Sequence, residues 1–350
     1  MDALKILIPW TVAFFTGIAL TPFLTHFLYK NKMWKKKAGK EAGLGDKSGT
    51  PIFNELHKEK DTGTPRMGGV IIWASSLITI FLFWLASFLF PNELTTKLDF
   101  MSRSQTWLPL FTLVTASLLG LVDDLALVLN KGKYIAGGLP LKLRIILVLL
   151  IGAIGGWWFY SKLGVSSINI PLDGVLELGI LFIPFFMMVM LSLFASGVID
   201  GIDGLSGGVM ATIFSAYAGI AFFQGQIDLA AFCAMIVGGI LAFLWFNIPP
   251  ARFYMSETGI LGLTTTLTVV AFLTGHVLVL PIIAFPLFAT VLGNIIQVSS
   301  KKIRGKKVFR VAPIHHHFEA IGWPSYKVVM RYWIISVIFA ILGMIIALLS

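Results

Sequence analysis

Three histidines stand side by side at His315, His316 and His317, inside the stretch PIHHHFEAIGW that runs from Pro313 to Trp323. Adjacent residues point about 100° apart on a helix and to opposite faces on a strand, so the triplet is poorly built to converge on one ion. A purification tag would sit at a terminus, whereas strongly apolar sequence follows this run. A tag is thereby set aside, and whether the triplet is a metal site or part of an active site depends on the residues around it.

Those residues are carboxylates set against apolar runs. Asp123 and Asp124 interrupt LLGLVDDLALV, Asp200 and Asp203 alternate with glycines in GVIDGIDGLSGG, and Glu257 lies in ARFYMSETGILG. Each has a plain structural role open to it. The Asp pair can be a solvated helix end, although a carboxylate at a helix C-terminus opposes the dipole, and Glu257 can be a favourable acid at a helix N-terminus. Asp200 or Asp203 can cap the helix that follows. Five carboxylates at a membrane boundary are nevertheless costly unless paired or metal-bound. The i, i+3 spacing puts Asp200 and Asp203 on one face, where they could share a cation with the Asp123 pair. Hard oxygen donors of this kind suit Mg²⁺, which commonly links protein carboxylates to substrate phosphates. The chemistry that uses such a set is phosphoryl transfer, in which positioning and electrostatics dominate.

The elements that must position these groups are membrane helices. The chain has 350 residues, 57% of them hydrophobic and 13% charged, with a mean hydropathy of +0.87. This composition excludes an ordinary soluble domain. A span needs about 20 mostly apolar residues, and such stretches begin near Ile6, Met67, Trp107, Leu143, Leu178, Gly207, Leu229, Thr258, Leu280 and Val328. The expectation is an all-α integral membrane protein with about ten transmembrane helices, forming one polytopic domain over residues 1–350. The first run is long enough to span and lacks a signal-type cleavage pattern, so it is expected to be retained. Cys233 lies in an apolar run as a core residue, and SSINIPLDG (Ser166–Gly174) reads as a short extended hairpin.

The net charge of +10 points to membrane orientation and not to nucleic acid. With both termini on the outer side, every Lys and Arg except Lys5, Lys97, Arg103 and Lys162 falls in an inner loop, as the positive-inside rule requires. The Lys30–Arg66 loop alone carries ten of them. The same topology gathers all the carboxylate motifs and the histidines on the inner face. There a nucleotide could arrive from water and a lipid acceptor from the bilayer. Two other classes compete with this reading. Membrane prenyltransferases space their acids at i, i+4 within helices, and ion-coupled transporters hold theirs near the midplane.

On these motifs the chain resembles the polyprenyl-phosphate N-acetylhexosamine-1-phosphate transferases nearly end to end. The matching segments are GTPRMGG (Gly63–Gly69), Asp123–Asp124, DGIDGL (Asp200–Leu205), FNIPPARFYMSETG (Phe246–Gly259) and the histidine loop. The loop is similar to that of the muramoyl-pentapeptide branch; sister N-acetylglucosamine-phosphate enzymes carry a different one. The resemblance implies transfer of phospho-N-acetylmuramoyl-pentapeptide from its UDP carrier to undecaprenyl phosphate with Mg²⁺, in the bacterial inner membrane at its cytoplasmic face. A related transferase using another UDP-sugar is the alternative, and a homodimer is an open assembly. By resemblance, Asp123, Asp124 and Glu257 are catalytic, with Glu257 and Asp200 toward the metal. Asp200, Asp203, Asn247, Tyr254, Lys142 and the three histidines would line the substrate side, with Tyr254 stacking on uracil. The chain departs from the family pattern at three places. It has Ser256–Glu257 for the usual Gly-Asp, Gly197 for an asparagine, and Leu127 for a lysine. Lys131, Lys133 or Lys142 is expected to supply the missing charge.

Overall fold

The computed structural model describes residues 2–36, 63–99, 104–129 and 138–350. Most of the basic Lys30–Arg66 loop, together with Lys131 and Lys133, lies outside the described residues. Lipid offers no water to satisfy backbone N–H and C=O groups, so apolar runs fold as helices. The order is α1 (Asp2–Lys30), α2 (Val70–Leu89), α3 (Glu93–Leu98), α4 (Ser104–Val128), α5 (Leu141–Lys162), β1 (Ser167–Ile170) and β2 (Gly174–Glu177). It continues with α6 (Phe182–Ser196), α7 (Leu205–Phe223), α8 (Ile227–Asn247), α9 (Ser256–Leu273), α10 (Leu280–Ile283), α11 (Phe285–Arg304), α12 (Ile314–Ala320) and α13 (Ser325–Leu349).

Among the described residues nine helices are long and apolar enough to cross a membrane. The tenth expected crossing is broken: Val277–Ile283 and Phe285–Arg304 meet at 82°. The sequence predicts an uninterrupted span there. Pro281 and Pro286 each sit in the first turn of a short or long helix, where a missing N–H is tolerated, so the chain restarts its helix at Phe285. The hairpin forms as expected, with its second strand reaching beyond Gly174 to Glu177 in the register Ser167↔Glu177.

Burial divides the helices into a centre and a rim. In α7, α8 and α9, 67%, 83% and 89% of the apolar window is buried, against 17% in α1 and 28% in α13. Helices buried on all sides are apolar on all sides, which is why periodicity is silent about their orientation. Cys233 of α8 is buried in this centre. Helix α4 packs along α9, and glycines set their approach. A Cβ on Gly120 would collide with the Glu257 carbonyl, and, where the start of α2 meets α9, one on Gly69 would collide with the backbone of Gly259. Small residues let backbones approach in this way. The contact fixes Asp123 and Asp124, one turn beyond Gly120, beside the first turn of α9. A cavity of about 430 Å³ between the hairpin and His276 lies past the other end of α9, away from these acids.

Candidate active site

The site is assembled around the N-terminus of α9. The opening N–H groups of a helix have no intrahelical partner and need acceptors, yet the N-cap residue Met255 offers no side-chain cap. Aspartates from distant segments take that place. Asp200 Oδ2 accepts from the Ser256 N–H at 2.9 Å, and Asp124 Oδ2 accepts from the Thr258 N–H at 2.9 Å and from Thr258 Oγ1 at 2.7 Å. Anionic groups here also meet the positive end of the helix dipole. Asp200 is held further by Ser206, whose hydroxyl donates to Oδ1 at 2.6 Å.

Two guanidinium groups complete the cluster. Arg144, in the first turn of α5, reaches Glu257 Oε1 at 2.7 Å and Asp123 Oδ2 at 3.5 Å with the same nitrogen. The other oxygen of Asp123 accepts from the Leu139 N–H at 2.5 Å. Arg66 lies 3.4 Å from Asp124 Oδ1, and Asp124 is fully buried. Burial penalises the charge of Arg66, but the carboxylates of Asp124, Asp200 and Glu257 outweigh it and raise its pKa. Burial pushes the Asp200 carboxyl above the usual range, against the opposing pull of its Ser206 and Ser256 hydrogen bonds and of Arg66.

The remaining expected residues divide by role. Asn247 is buried and braced at both ends of its amide: Oδ1 accepts from the Gly204 N–H at 2.9 Å and Nδ2 donates to the Phe253 carbonyl at 2.8 Å. Asp203 accepts from the Ala251 N–H at 3.4 Å. Tyr254 is half-buried, and its backbone pairs with Pro65 and Gly68, which ties the Gly63–Gly69 segment and hence Arg66 to the start of α9. Lys142 is exposed; the cation that enters the cluster is Arg144, two residues on. The histidine triplet separates. His315 and His316 are buried, and a Cβ on Gly201, beside Asp200, would lie 2.7 Å from Nε2 of each. His317 turns away, with Nδ1 accepting from the Arg310 N–H at 3.2 Å, and burial and Arg310 lower its pKa.

Sequence reasoning missed Arg66, Arg144, Ser206 and Thr258 as members of the cluster. The signal available for Arg66 was its place inside GTPRMGG; Arg144 had none beyond its position at the start of a span.

Among the described residues no three His, Cys, Asp or Glu side chains stand close enough to enclose a metal ion. The donor set still fits Mg²⁺, which commonly uses one or two carboxylates and takes its other ligands from phosphate and water. Asp123 and Glu257 already converge on one cationic nitrogen of Arg144. With all five acids ionised, two guanidinium groups leave an excess of negative charge that a divalent cation would offset.

Residues 106–275, from α4 through α9, match the family described as glycosyl transferase family 4. The chain is 35% identical over 347 residues to the phospho-N-acetylmuramoyl-pentapeptide-transferase of Anoxybacillus flavithermus, covering 98% of each chain. It is 39% identical over 289 residues to the enzyme of that name from a Geobacillus species, covering 81% of this chain and 84% of the relative. The relative of the same name from Clostridium perfringens is 31% identical over 343 residues, 97% of this chain and 98% of its own. Similarity of this extent, carried through the segments that build the carboxylate cluster, means that the chain belongs to the phospho-N-acetylmuramoyl-pentapeptide-transferase family.

Proposed function

We propose that this protein transfers phospho-N-acetylmuramoyl-pentapeptide from UDP to undecaprenyl phosphate, forming lipid I and UMP. An oxygen of the lipid phosphate attacks the sugar-bearing phosphorus, the bond from that phosphorus to the uridine phosphate oxygen breaks, and UMP leaves with the electron pair. The observation that carries the reading is the division of labour among the acids. Asp124 and Asp200 are held by α9, whereas Asp123 and Glu257 share one cation, Arg144. Asp123, whose Oδ2 meets Arg144 only at 3.5 Å, is the member of the pair that can exchange that long contact for the lipid phosphate, orient it and accept a proton from it. Arg144 and Arg66 are placed to offset charge on the transferring group. Glu257 and Asp123 would hold Mg²⁺ by releasing Arg144; Asp200, whose oxygens accept from the Ser206 hydroxyl at 2.6 Å and the Ser256 N–H at 2.9 Å, stands behind them. When bound, the ion supplies electrostatic stabilisation of the phosphate oxygens. The distribution of basic loops supports a cytoplasmic-face site in the inner membrane with both termini outside.

The test is incubation of the purified chain with UDP-N-acetylmuramoyl-pentapeptide, undecaprenyl phosphate and Mg²⁺, assayed for UMP. Release that depends on all three is expected, with UDP-N-acetylglucosamine a poor donor. Equal turnover of UDP-N-acetylglucosamine would move the chain to the alternative, a related sugar-1-phosphate transferase. Absence of UMP would overturn the transferase reading.

A further inference from the structure

Helix α12 contains a second buried carboxylate system that the phosphoryl-transfer cluster does not use. His316 Nδ1 lies 2.7 Å from Glu319 Oε2, one turn along the same helix. The other carboxylate oxygen, Oε1, accepts from Ser325 Oγ at 2.6 Å, at the first residue of α13. His316 and Glu319 are both buried, at 2% and 9% exposure. Two acceptors cannot face each other at this distance, so a proton lies between them. The Ser325 hydroxyl on Oε1 stabilises the carboxylate form of Glu319 and places that proton on Nδ1. A hydrogen bond at one imidazole nitrogen decides which nitrogen does the work at the other. Whether His316 is neutral or charged, its Nδ1 is engaged and its Nε2 faces the turn at Gly201, between Asp200 and Asp203. The fit there is close: a Cβ on Gly201 would lie 2.7 Å from Nε2 of both His315 and His316.

Building on the transferase reading above, we infer that Glu319 is a positioning residue, clamped by Ser325, that fixes His316 so that Nε2 is the nitrogen presented at the Asp200 turn to the nucleotide-sugar. Glu319 touches no substrate and acts only through His316. Loss of the equivalent partner of a metal-bound histidine typically costs about 10- to 100-fold, and the same order is expected for a histidine held against substrate.

The test uses the full chain purified in detergent and two independent readouts. The first is the ¹⁵N resonances of His316 without substrate, identified by their loss in His316→Gln. A protonated Nδ1 is expected in wild type, with the pattern altered in Glu319→Gln. The second is UMP release in a double-mutant cycle. Glu319→Gln should lower turnover about 10- to 100-fold in the wild-type background and less than about twofold further in the His316→Gln background. Equal losses in both backgrounds, or His316 resonances indifferent to Glu319→Gln, would overturn the inference. Should Glu319→Gln not fold, Ser325→Ala replaces it, with a loss of a few-fold expected that also vanishes when His316 is absent; persistence of that loss would overturn the inference equally. If wild type releases no UMP, the transferase reading fails, and the nitrogen resonances alone still decide whether Glu319 sets His316.

Discussion

Substituting Ser256 by glycine should stabilise the protein. Ser256 opens α9 with φ at +58°, in the left-handed region, and its hydroxyl is buried without a hydrogen-bond partner among the described residues. A non-glycine residue held in that region costs on the order of 1–3 kcal/mol. A buried unsatisfied hydroxyl costs about 1–3 kcal/mol more. Glycine removes both, while its greater freedom in the unfolded chain returns roughly 0.5–1 kcal/mol. The low ends of the two gains, set against the high end of that loss, leave a net gain of about 1 kcal/mol. The N–H that donates to Asp200 survives the change, so the cluster is kept. Ser256→Ala is the control, since it removes the hydroxyl and retains the strained backbone. Denaturant unfolding in detergent should therefore rank glycine above alanine and alanine above wild type, at unchanged slope. A glycine variant no more stable than the alanine variant would refute the argument that the backbone is strained there.

The aspartate pair should respond unequally to amidation. Asp123→Asn should lower UMP release by a factor on the order of 10² with the fold retained, whereas Asp124→Asn, which keeps an oxygen for Thr258 but leaves half-buried Arg66 without its carboxylate, should cost about 1–3 kcal/mol of stability; identical melting of the two variants would contradict this division. Arg144→Gln removes the cation that competes for the oxygens of Asp123 and Glu257, so the half-saturating Mg²⁺ concentration should fall even as turnover drops. Glu257→Gln should shift it the other way, and curves superimposable on wild type for both variants would place the metal elsewhere. Gly120→Ala forces a methyl against the Glu257 carbonyl and should destabilise by about 1–3 kcal/mol with loss of activity; wild-type melting and turnover would show that the α4–α9 approach is not close.

The sequence by itself determined the membrane class, nine of the ten expected long apolar helices and the motifs that build the site. The first two follow from lengths of apolar sequence measured against the bilayer, a property that needs no knowledge of partners. Asp123, Asp124, Asp200 and Glu257 could be found because a carboxylate beside an apolar run is costly wherever the run is placed. Which groups answer them was decided by tertiary structure. The pairs Arg66 with Asp124, Arg144 with Glu257 and Thr258 with Asp124 join residues 58, 113 and 134 positions apart. Helices apolar all round carry no periodic signal to fix their rotation, so no reading of one chain could set Arg144, and not Lys142, against Glu257. The same holds for the histidines. Their adjacency showed that they cannot share one ion, but only the packing of α12 against the Gly201 turn turned two of them inward and one out. The break at Ala284 had a local signal in its flanking prolines, and its 82° angle was set by what α10 and α11 each pack against.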